Sequence, residues 1–363
     1  VLSLPTSNST PLSGLASDPE LVEISDMGRC YTNCVNGADI FLVSTIDIYF
    51  LDVTFTPSYA QQIVSEAATM ATISYDKLEG SIWYNGNLMP WEDAQVHVLT
   101  HGLHYASSVF EGERVYEGEI FKLEEHTERL LNSARLLDFE IPYSAEDVNA
   151  ACRATVLTNE IIDGYVRPVA WRGSEMMGVS AQENHISLAV AVWQWPSYFD
   201  AEARAVGIKL MTTKWRRPDP RTAPVHSKAA GLYMICTLSK HAAEAEGYDD
   251  ALMLDWRGRI AESTGANIFF VIDGKLHTPT PDCFLDGITR RTVIGLAKAR
   301  GFEVIERVIM PEEMAQATEC LLTGTAAEVT PVGVIDDYKF KPGAITAQLI
   351  EDFESLVRRK AAA

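Results

Sequence analysis

Residues 262–290 read ESTGANIFFVIDGKLHTPTPDCFLDGITR, and this stretch is the most informative about the fold. The apolar run NIFFVI at 267–272 predicts a buried strand that ends at the turn Asp273-Gly274. The apolar spacing of TRRTVIGLAKARG at 289–301 predicts a helix. The segment Gly-Ile-Thr at 287–289 then starts this helix, where exposed N–H groups and the helix dipole favour a phosphate. A plain N-cap by the threonine would give the same pattern.

Glu262 opens this stretch, and a second candidate residue, Lys228, precedes it in the segment HSKAAGLYM. Lys228 lies before a predicted helix at 231–246 whose start is small and apolar, so a desolvated, nucleophilic amine is possible there. A buried carboxylate at Glu262 would need a cationic or hydrogen-bonding partner, and a pyridinium nitrogen would supply one. Taken singly, both residues also fit ordinary solvated groups.

A second turn of small residues follows in TGTAAEVTP at 323–331. The hydroxyl of Thr325 and the backbone amides of Ala326 and Ala327 could hold anionic oxygens there. Together with the helix start at 287–289, this turn predicts a site for a small anionic molecule.

Strand and helix patterns alternate outward from this centre and predict an α+β fold. The elements predicted in the first half are a hairpin at 81–90 around Asn85-Gly86, two strands around Glu117-Gly118, helices at 123–137 and 145–160, and a buried strand at 186–195. The further elements predicted in the second half are strands at 207–213, 250–255, 302–308 and 319–324 and a helix at 345–359.

These elements group into two domains. Residues 70–195 are predicted to form a small α/β domain, 196–206 a linker, and 207–363 a larger α/β domain. Residues 1–69 carry eight acids against one base and open with few apolar residues, which is typical of a disordered segment. Our hypothesis is that they form an extension outside the folded core, and that the natural start is Met70.

Composition limits the classes of partner. The formal net charge is −20, which disfavours nucleic acid and anionic membranes, and no long basic run is present. The early apolar stretch at 38–55 contains three aspartates and fits a membrane span badly. The cysteines are scattered, which favours reduced thiols in a cytoplasmic protein. Cys30 and Cys34 lack a partner pair, so no metal site is expected.

The whole stretch 262–290 resembles the signature of the class IV aminotransferases. The matching positions are Glu262, Thr264, Asn267, Ile268, Phe269, Leu276, Thr278, Leu285, Gly287 and Arg290. The resemblance extends over about residues 80–358. It implies the fold type IV of pyridoxal-phosphate enzymes, in which two α/β domains hold the cofactor in the cleft between them.

The resemblance also implies roles for individual residues. Lys228 would be the Schiff-base lysine, Glu262 the partner of the pyridine nitrogen, and Tyr233 the neighbour of the cofactor's phenolic oxygen. The residues that would bind the phosphate of pyridoxal 5'-phosphate are Arg129, Ile288, Thr289 and Thr325.

Three further segments resemble the branched-chain amino-acid aminotransferases: HGLHYASSVFEGERVY at 101–116, GYVRPVAWRG at 164–173 and GTAAEVTPVG at 324–333. The residues that would hold the aliphatic side chain of the substrate are Phe110, Tyr165, Trp195, Tyr198 and Tyr233, with Tyr105 and Val179 from a neighbouring subunit. The resemblance assigns the distal carboxylate of glutamate to Arg167, and the substrate's α-carboxylate to the amides of the Thr325, Ala326 and Ala327 turn. Glu113 departs from this pattern, since many relatives carry an aliphatic residue there, and we expect it at the surface or in an interface.

The activity implied is transamination between L-leucine, L-isoleucine or L-valine and 2-oxoglutarate, by a homodimer or a hexamer built as a trimer of dimers. A D-amino-acid transaminase, an (R)-amine transaminase or an aminodeoxychorismate lyase would share the cofactor site. A non-catalytic pyridoxal-phosphate-binding protein is an alternative of another class. The presence of Lys228, Glu262 and Arg129 together argues against this alternative, because folding alone would not require all three.

Overall fold

Two β-sheets organise the computed structural model, which describes residues 74–195 and 206–358. The expectations for residues 1–69, for Tyr198 and for all but the last residue of the linker at 196–206 lie outside these ranges. The prediction of mixed helices and sheets is confirmed, while the domain boundaries remain predictions.

The first sheet is seven-stranded, with the order β2-β1-β7-β6-β4-β5 and with β3 paired to β6. Its strands are β1 (Ser81–Tyr84), β2 (Asn87–Pro90), β3 (Ser108–Phe110), β4 (Glu113–Tyr116), β5 (Glu119–Ile120), β6 (Gly164–Arg172) and β7 (Ile186–Gln194). The helices in this part of the chain are α1 (His101–Tyr105), α2 (Leu123–Leu136) and α3 (Ala145–Thr158).

Local sequence explains the turns of this sheet. Asn85 and Gly86 have φ angles of 46° and 98°, and they join β1 to β2 as predicted. Glu117 and Gly118 connect β4 to β5 with φ angles of 53° and 85°. Ser144 caps α3 through a capping box with Asp147, which confirms the predicted start of that helix.

Glu113 on β4 was expected at the surface or in an interface. This expectation was wrong, because the side chain is fully buried within the chain. All four residues of β4 are buried, and Glu113 is within electrostatic reach of Glu124 on α2 and Cys152 on α3. Neither of its carboxylate oxygens has a hydrogen-bond partner among the described residues. Burial, followed by the nearby Glu111, raises the pKa of Glu113 well above its ordinary value.

The second sheet has nine strands and closes on itself. Its order is β10-β9-β8-β15-β14-β11-β12-β13, with β16 paired to β15 and a further pairing of β10 with β11. The strands are β8 (Ile208–Arg217), β9 (Asp250–Asp255), β10 (Ile260–Ser263), β11 (Asn267–Ile272), β12 (Lys275–Pro279), β13 (Val304–Arg307), β14 (Ala317–Gly324), β15 (Glu328–Ile335) and β16 (Tyr338–Lys339). The pairing of β10 with β11 completes a ring of six strands.

Three helices belong to this second part: α4 (Met234–Ala245), α5 (Ile288–Ala299) and α6 (Ala344–Val357). The predicted helix at 231–246 begins as a 3-10 turn at Ala230–Tyr233 and becomes α-helical only at Met234. Both α5 and α6 pack against β14. No helix of the described ranges is long and apolar enough to span a membrane.

The apolar sequence of β11 is explained by the burial of all its residues. Ile268 and Phe270 point into the core enclosed by the strand ring, whereas Phe269 and Val271 pack in the cluster that contains α5 and α6 residues. A strand buried on both faces reads as a continuous apolar run. Packing on both faces fixes the position of β11, and with it the position of Asn267 at the start of the strand.

Candidate active site

A cavity lies where β10, β11, β14 and the start of α5 meet α2 and the segment before α4. Its lining residues are Arg129, Arg217, Lys228, Tyr233, Glu262, Gly265, Ala266, Asn267, Leu285, Gly287, Ile288, Thr289, Thr323, Gly324 and Thr325. The structure therefore brings Lys228 and all six predicted cofactor residues to one place. Their individual roles remain predictions.

Lys228 is fixed at both its backbone and its amine. Its backbone N–H donates to Oγ of Ser133 at 3.0 Å, and its carbonyl accepts from the N–H of Phe110 at 3.2 Å. The Nζ atom donates to the hydroxyl of Tyr233 at 2.8 Å and lies 5.1 Å from the centre of the Phe110 ring. The amine thus points into the cavity with a defined neighbour.

Glu262 is buried and does not face water, but its cationic partner is a residue that the sequence pattern did not indicate. Nη2 of Arg217 forms an ion pair with Oε1 of Glu262, and the amide of Asn267 donates to Oε2 at 3.0 Å. Burial raises the pKa of Glu262, and the positive charge of Arg217 is the largest opposing influence. The ionisation of Glu262 therefore depends on Arg217.

The backbone amides at the start of α5, residues 287–289, have no hydrogen-bond partner among the described residues. Gly287 is the N-cap, and no described side chain caps the helix. A Cβ at Gly287 would lie 2.2 Å from Oδ1 of Asn267, so a side chain there would displace the Asn267 amide. Arg290 anchors this turn from within the core, with bonds of 2.7 Å to Asp286 and to Glu306.

Arg129 reaches the cavity from α2 and is held from behind by Glu111, which the sequence pattern also left unassigned. Glu111 accepts from Nε of Arg129 at 2.6 Å and from Nη2 at 2.8 Å. Burial alone would raise the pKa of Glu111. Arg129 and His126 outweigh burial and hold that pKa well below its usual range.

An aromatic wall adjoins Lys228. The Phe110 ring meets the Tyr233 ring edge-on at 4.8 Å, and the Arg167 guanidinium lies 4.7 Å from the Phe110 centre. Nη2 of Arg167 is 3.4 Å from the Tyr165 hydroxyl. A Cβ at Gly112 would lie 1.8 Å from that hydroxyl, so only glycine leaves room for the Tyr165 side chain.

The other predicted substrate residues lie at different distances from this wall. The Trp195 ring is 5.4 Å from the Tyr165 ring, and Ala326 and Ala327 are half-buried in the turn after Thr325. Tyr105 and Val179 are 46% and 86% exposed and are not part of the cavity lining.

The free polar groups of the cavity suit a pyridine that carries a phosphate. The Thr323 hydroxyl is buried in the lining and has no hydrogen-bond partner among the described residues. A Cβ at Gly265 would meet no atom within 4 Å, so a side chain there would project into open space. Cationic and amide donors at Arg129 and Thr289 suit a dianion, Lys228 offers an amine, and Glu262 offers an acceptor.

The sequence is similar to those of known aminotransferases. Residues 108–335 match the family described as amino-transferase class IV. A probable branched-chain-amino-acid aminotransferase of Rickettsia felis is 42% identical over 294 residues, which is 80% of this chain and 100% of that protein. The branched-chain-amino-acid aminotransferase of Pseudomonas aeruginosa is 40% identical over 289 residues, which is 78% of this chain and 94% of that protein.

A solved structure is similarly close. The crystal structure of the branched-chain amino acid aminotransferase of Escherichia coli superposes with a TM-score of 0.75 at 37% identity. The match covers 78% of this chain and 96% of that chain. The chain therefore belongs to the class IV aminotransferases, enzymes that depend on pyridoxal 5'-phosphate.

Proposed function

We propose that the protein transfers the amino group of L-leucine, L-isoleucine or L-valine to 2-oxoglutarate. The observation that supports this most is the pairing of an aromatic wall with one arginine. The rings of Phe110 and Tyr165 suit an aliphatic side chain, and Arg167 lies directly beside them to receive a distal carboxylate. One pocket can then accept both leucine and glutamate.

Pyridoxal phosphate, when bound, supplies an aldehyde that links to amines and a ring that withdraws electrons. Lys228 would hold this group covalently between turnovers. Once the substrate amine has taken its place, the free Nζ would accept the proton that leaves the substrate's α-carbon and donate it to the cofactor carbon that takes the amino group. The Tyr233 hydroxyl, 2.8 Å from Nζ, keeps the amine oriented during this exchange. Arg129, the α5 amides and Thr325 would bind the phosphate, and Glu262 would hold the ring nitrogen.

The substrate's two ends would be held by different elements. The turn at Thr325, Ala326 and Ala327 would bind the α-carboxylate through its amides, while Tyr165 and Trp195 would enclose the side chain. In the first half-reaction the amino acid enters and its 2-oxo acid leaves. In the second, 2-oxoglutarate enters and glutamate leaves.

We also propose that the site is completed by a second copy of the chain in a homodimer, alone or within a hexamer. Tyr105 and Val179 are exposed here, and their segments are tied together by the bond from the Tyr105 hydroxyl to the Met177 carbonyl at 3.1 Å. Exposed apolar side chains nearby in sequence, Val98 and Leu103, suit such an interface. The buried free cysteines of the described part suit a cytoplasmic location.

A substrate panel tests the proposed function. L-leucine, D-alanine and aminodeoxychorismate are supplied separately, the two amino acids with 2-oxoglutarate as acceptor. We expect glutamate formation from L-leucine and little or no turnover of the other two. Turnover of D-alanine or aminodeoxychorismate in place of L-leucine would overturn the substrate assignment, and a cofactor-loaded protein without any turnover would indicate a binding protein.

Arg167→Met should separate the two substrates. The glutamate half-reaction should slow by about ten- to a hundredfold, because a charge-assisted hydrogen bond is worth about 1.5–3 kcal/mol. The leucine half-reaction should change much less, since its side chain has no charge for Arg167 to meet. Single-turnover spectroscopy with each amino acid measures both rates. Equal losses would make Arg167 a structural residue, and Arg114 would be tested next for the distal carboxylate.

A further inference from the structure

The buried acid Glu111 grips Arg129 along one edge of its guanidinium group. The two hydrogen bonds use Nε and Nη2 of the arginine. Nδ1 of His126, which precedes Arg129 by almost one turn on α2, lies 2.7 Å from the same carboxylate. Glu111 is 0% exposed, so no bulk water competes for these contacts.

No other described residue accepts a hydrogen bond from Arg129, so the rest of its guanidinium group is available. A guanidinium is planar and has five N–H donors in a fixed arrangement. Glu111 occupies the donor on Nε and one donor on Nη2, which leaves the second Nη2 donor and both Nη1 donors. Because the group is rigid, fixing one edge also fixes the direction of the other. Arg129 lines the cavity together with Ile288 and Thr289 at the start of α5.

We propose that Glu111 is a positioning residue, which fixes the plane of Arg129 so that its free edge meets the phosphate of the cofactor. This inference rests on the phosphate contact proposed for Arg129. An arginine oriented before binding loses less conformational freedom when the phosphate arrives, which strengthens binding. The effect should be specific to cofactors that carry a phosphate.

A simple charge effect would act differently. A buried negative charge close to a phosphate opposes binding by repulsion, so loss of the charge would tighten binding, whereas loss of the positioning would weaken it. Glu111→Asp separates these two effects. Aspartate keeps the charge but is one methylene shorter, so it cannot maintain both hydrogen bonds to Arg129.

The test compares pyridoxal 5'-phosphate with pyridoxal, which lacks the phosphate, in titrations of cofactor-free protein. We expect Glu111→Asp to weaken pyridoxal 5'-phosphate binding by about tenfold, the scale of one strong charge-assisted hydrogen bond. Pyridoxal binding should stay within about twofold of its original value, since its contacts do not involve Arg129. Glu113→Asp is the matched control. Glu113 is equally buried in the neighbouring β4 strand, acts on Arg129 only through its charge, which aspartate keeps, and forms no hydrogen bond with Arg129 in the described part of the chain. This variant should leave the ratio of the two affinities unchanged.

One further variant tests the phosphate contact itself. Arg129→Gln should by itself lower the ratio of the affinity for pyridoxal 5'-phosphate to the affinity for pyridoxal. If it does while a folded Glu111→Asp protein keeps the original ratio, the positioning role is wrong and the phosphate contact stands. If Arg129→Gln has no effect, the proposed contact itself is wrong.

Should Glu111→Asp fail to fold, His126 offers a milder test. His126→Leu removes the neighbour that holds the Glu111 carboxylate, whereas His126→Asn places an amide donor near the position of Nδ1. We expect a selective loss of phosphate-dependent affinity in the leucine variant and its rescue in the asparagine variant. Identical ratios in these two proteins would overturn the inference.

Discussion

Lys228→Ala should lose nearly all turnover, with kcat lower by about a thousandfold or more, because the amine both holds the cofactor and moves the proton. Its Nζ lies in the cavity beside the Tyr233 hydroxyl, and the backbone on either side is held by Ser133 and Phe110. The alanine variant should therefore fold normally and still bind cofactor without a covalent bond.

Borohydride reduction followed by mass spectrometry measures that bond directly. The original protein should retain the cofactor as a permanent adduct on the peptide that contains Lys228, and the variant should release it. Lys214→Ala serves as the control, since Lys214 lies on β8 and is exposed. A reducible cofactor adduct that persists in Lys228→Ala would show that another lysine carries the cofactor.

Arg217→Met should have the second largest effect. Without Arg217, nothing of comparable strength opposes the burial of Glu262, whose pKa would rise further and whose carboxyl group would become neutral. A neutral Glu262 supports the positive charge of the cofactor's ring nitrogen poorly. We expect kcat to fall by about a hundredfold or more, the usual scale for losing one preorganised electrostatic contact.

The pH dependence identifies the cause of this loss. Since a raised pKa keeps Glu262 protonated, the variant should recover part of its activity as the pH rises and the carboxyl group ionises. Arg216→Met is the matched control, because Arg216 is the exposed neighbour of the buried Arg217. A deficit of Arg217→Met that is the same at every pH would show that the loss comes from misfolding or altered packing.

Local sequence patterns predicted the parts of the fold that local chemistry decides. The hairpin at Asn85-Gly86, the capped start of α3 and the apolar strand β11 are all confirmed. The strands β6 and β15 were not predicted, because Pro168 and Pro331 interrupt their patterns and lack the N–H group of a regular strand.

The same distinction between local and tertiary information applies to the residues of the site. Residues with their own local signal, such as Glu262 and the helix start at Ile288, are found in the cavity. Glu111 and Arg217 gave no signal, because each acts on a partner from another element, and only the tertiary fold brings them together. The adjacent pair Arg216 and Arg217 in WRRP does not by itself indicate which arginine turns inward.

The buried acid Glu113 has a consequence for how the protein responds to acid. Its pKa is raised in the folded chain above the value of 4.5 that it has when exposed, so unfolding releases a proton at any pH between these two values. Below pH 4.5 both states hold the proton, so the ionisation of Glu113 does not change the stability. As the pH rises through the window between the two pKa values, it subtracts about 1.4 kcal/mol of stability per pH unit. Most carboxylates of an acidic protein make the folded state less stable as the pH falls. Glu113 acts in the opposite direction. This one side chain thus offsets part of the acid sensitivity that the rest of the chain confers, at the expense of stability near neutrality.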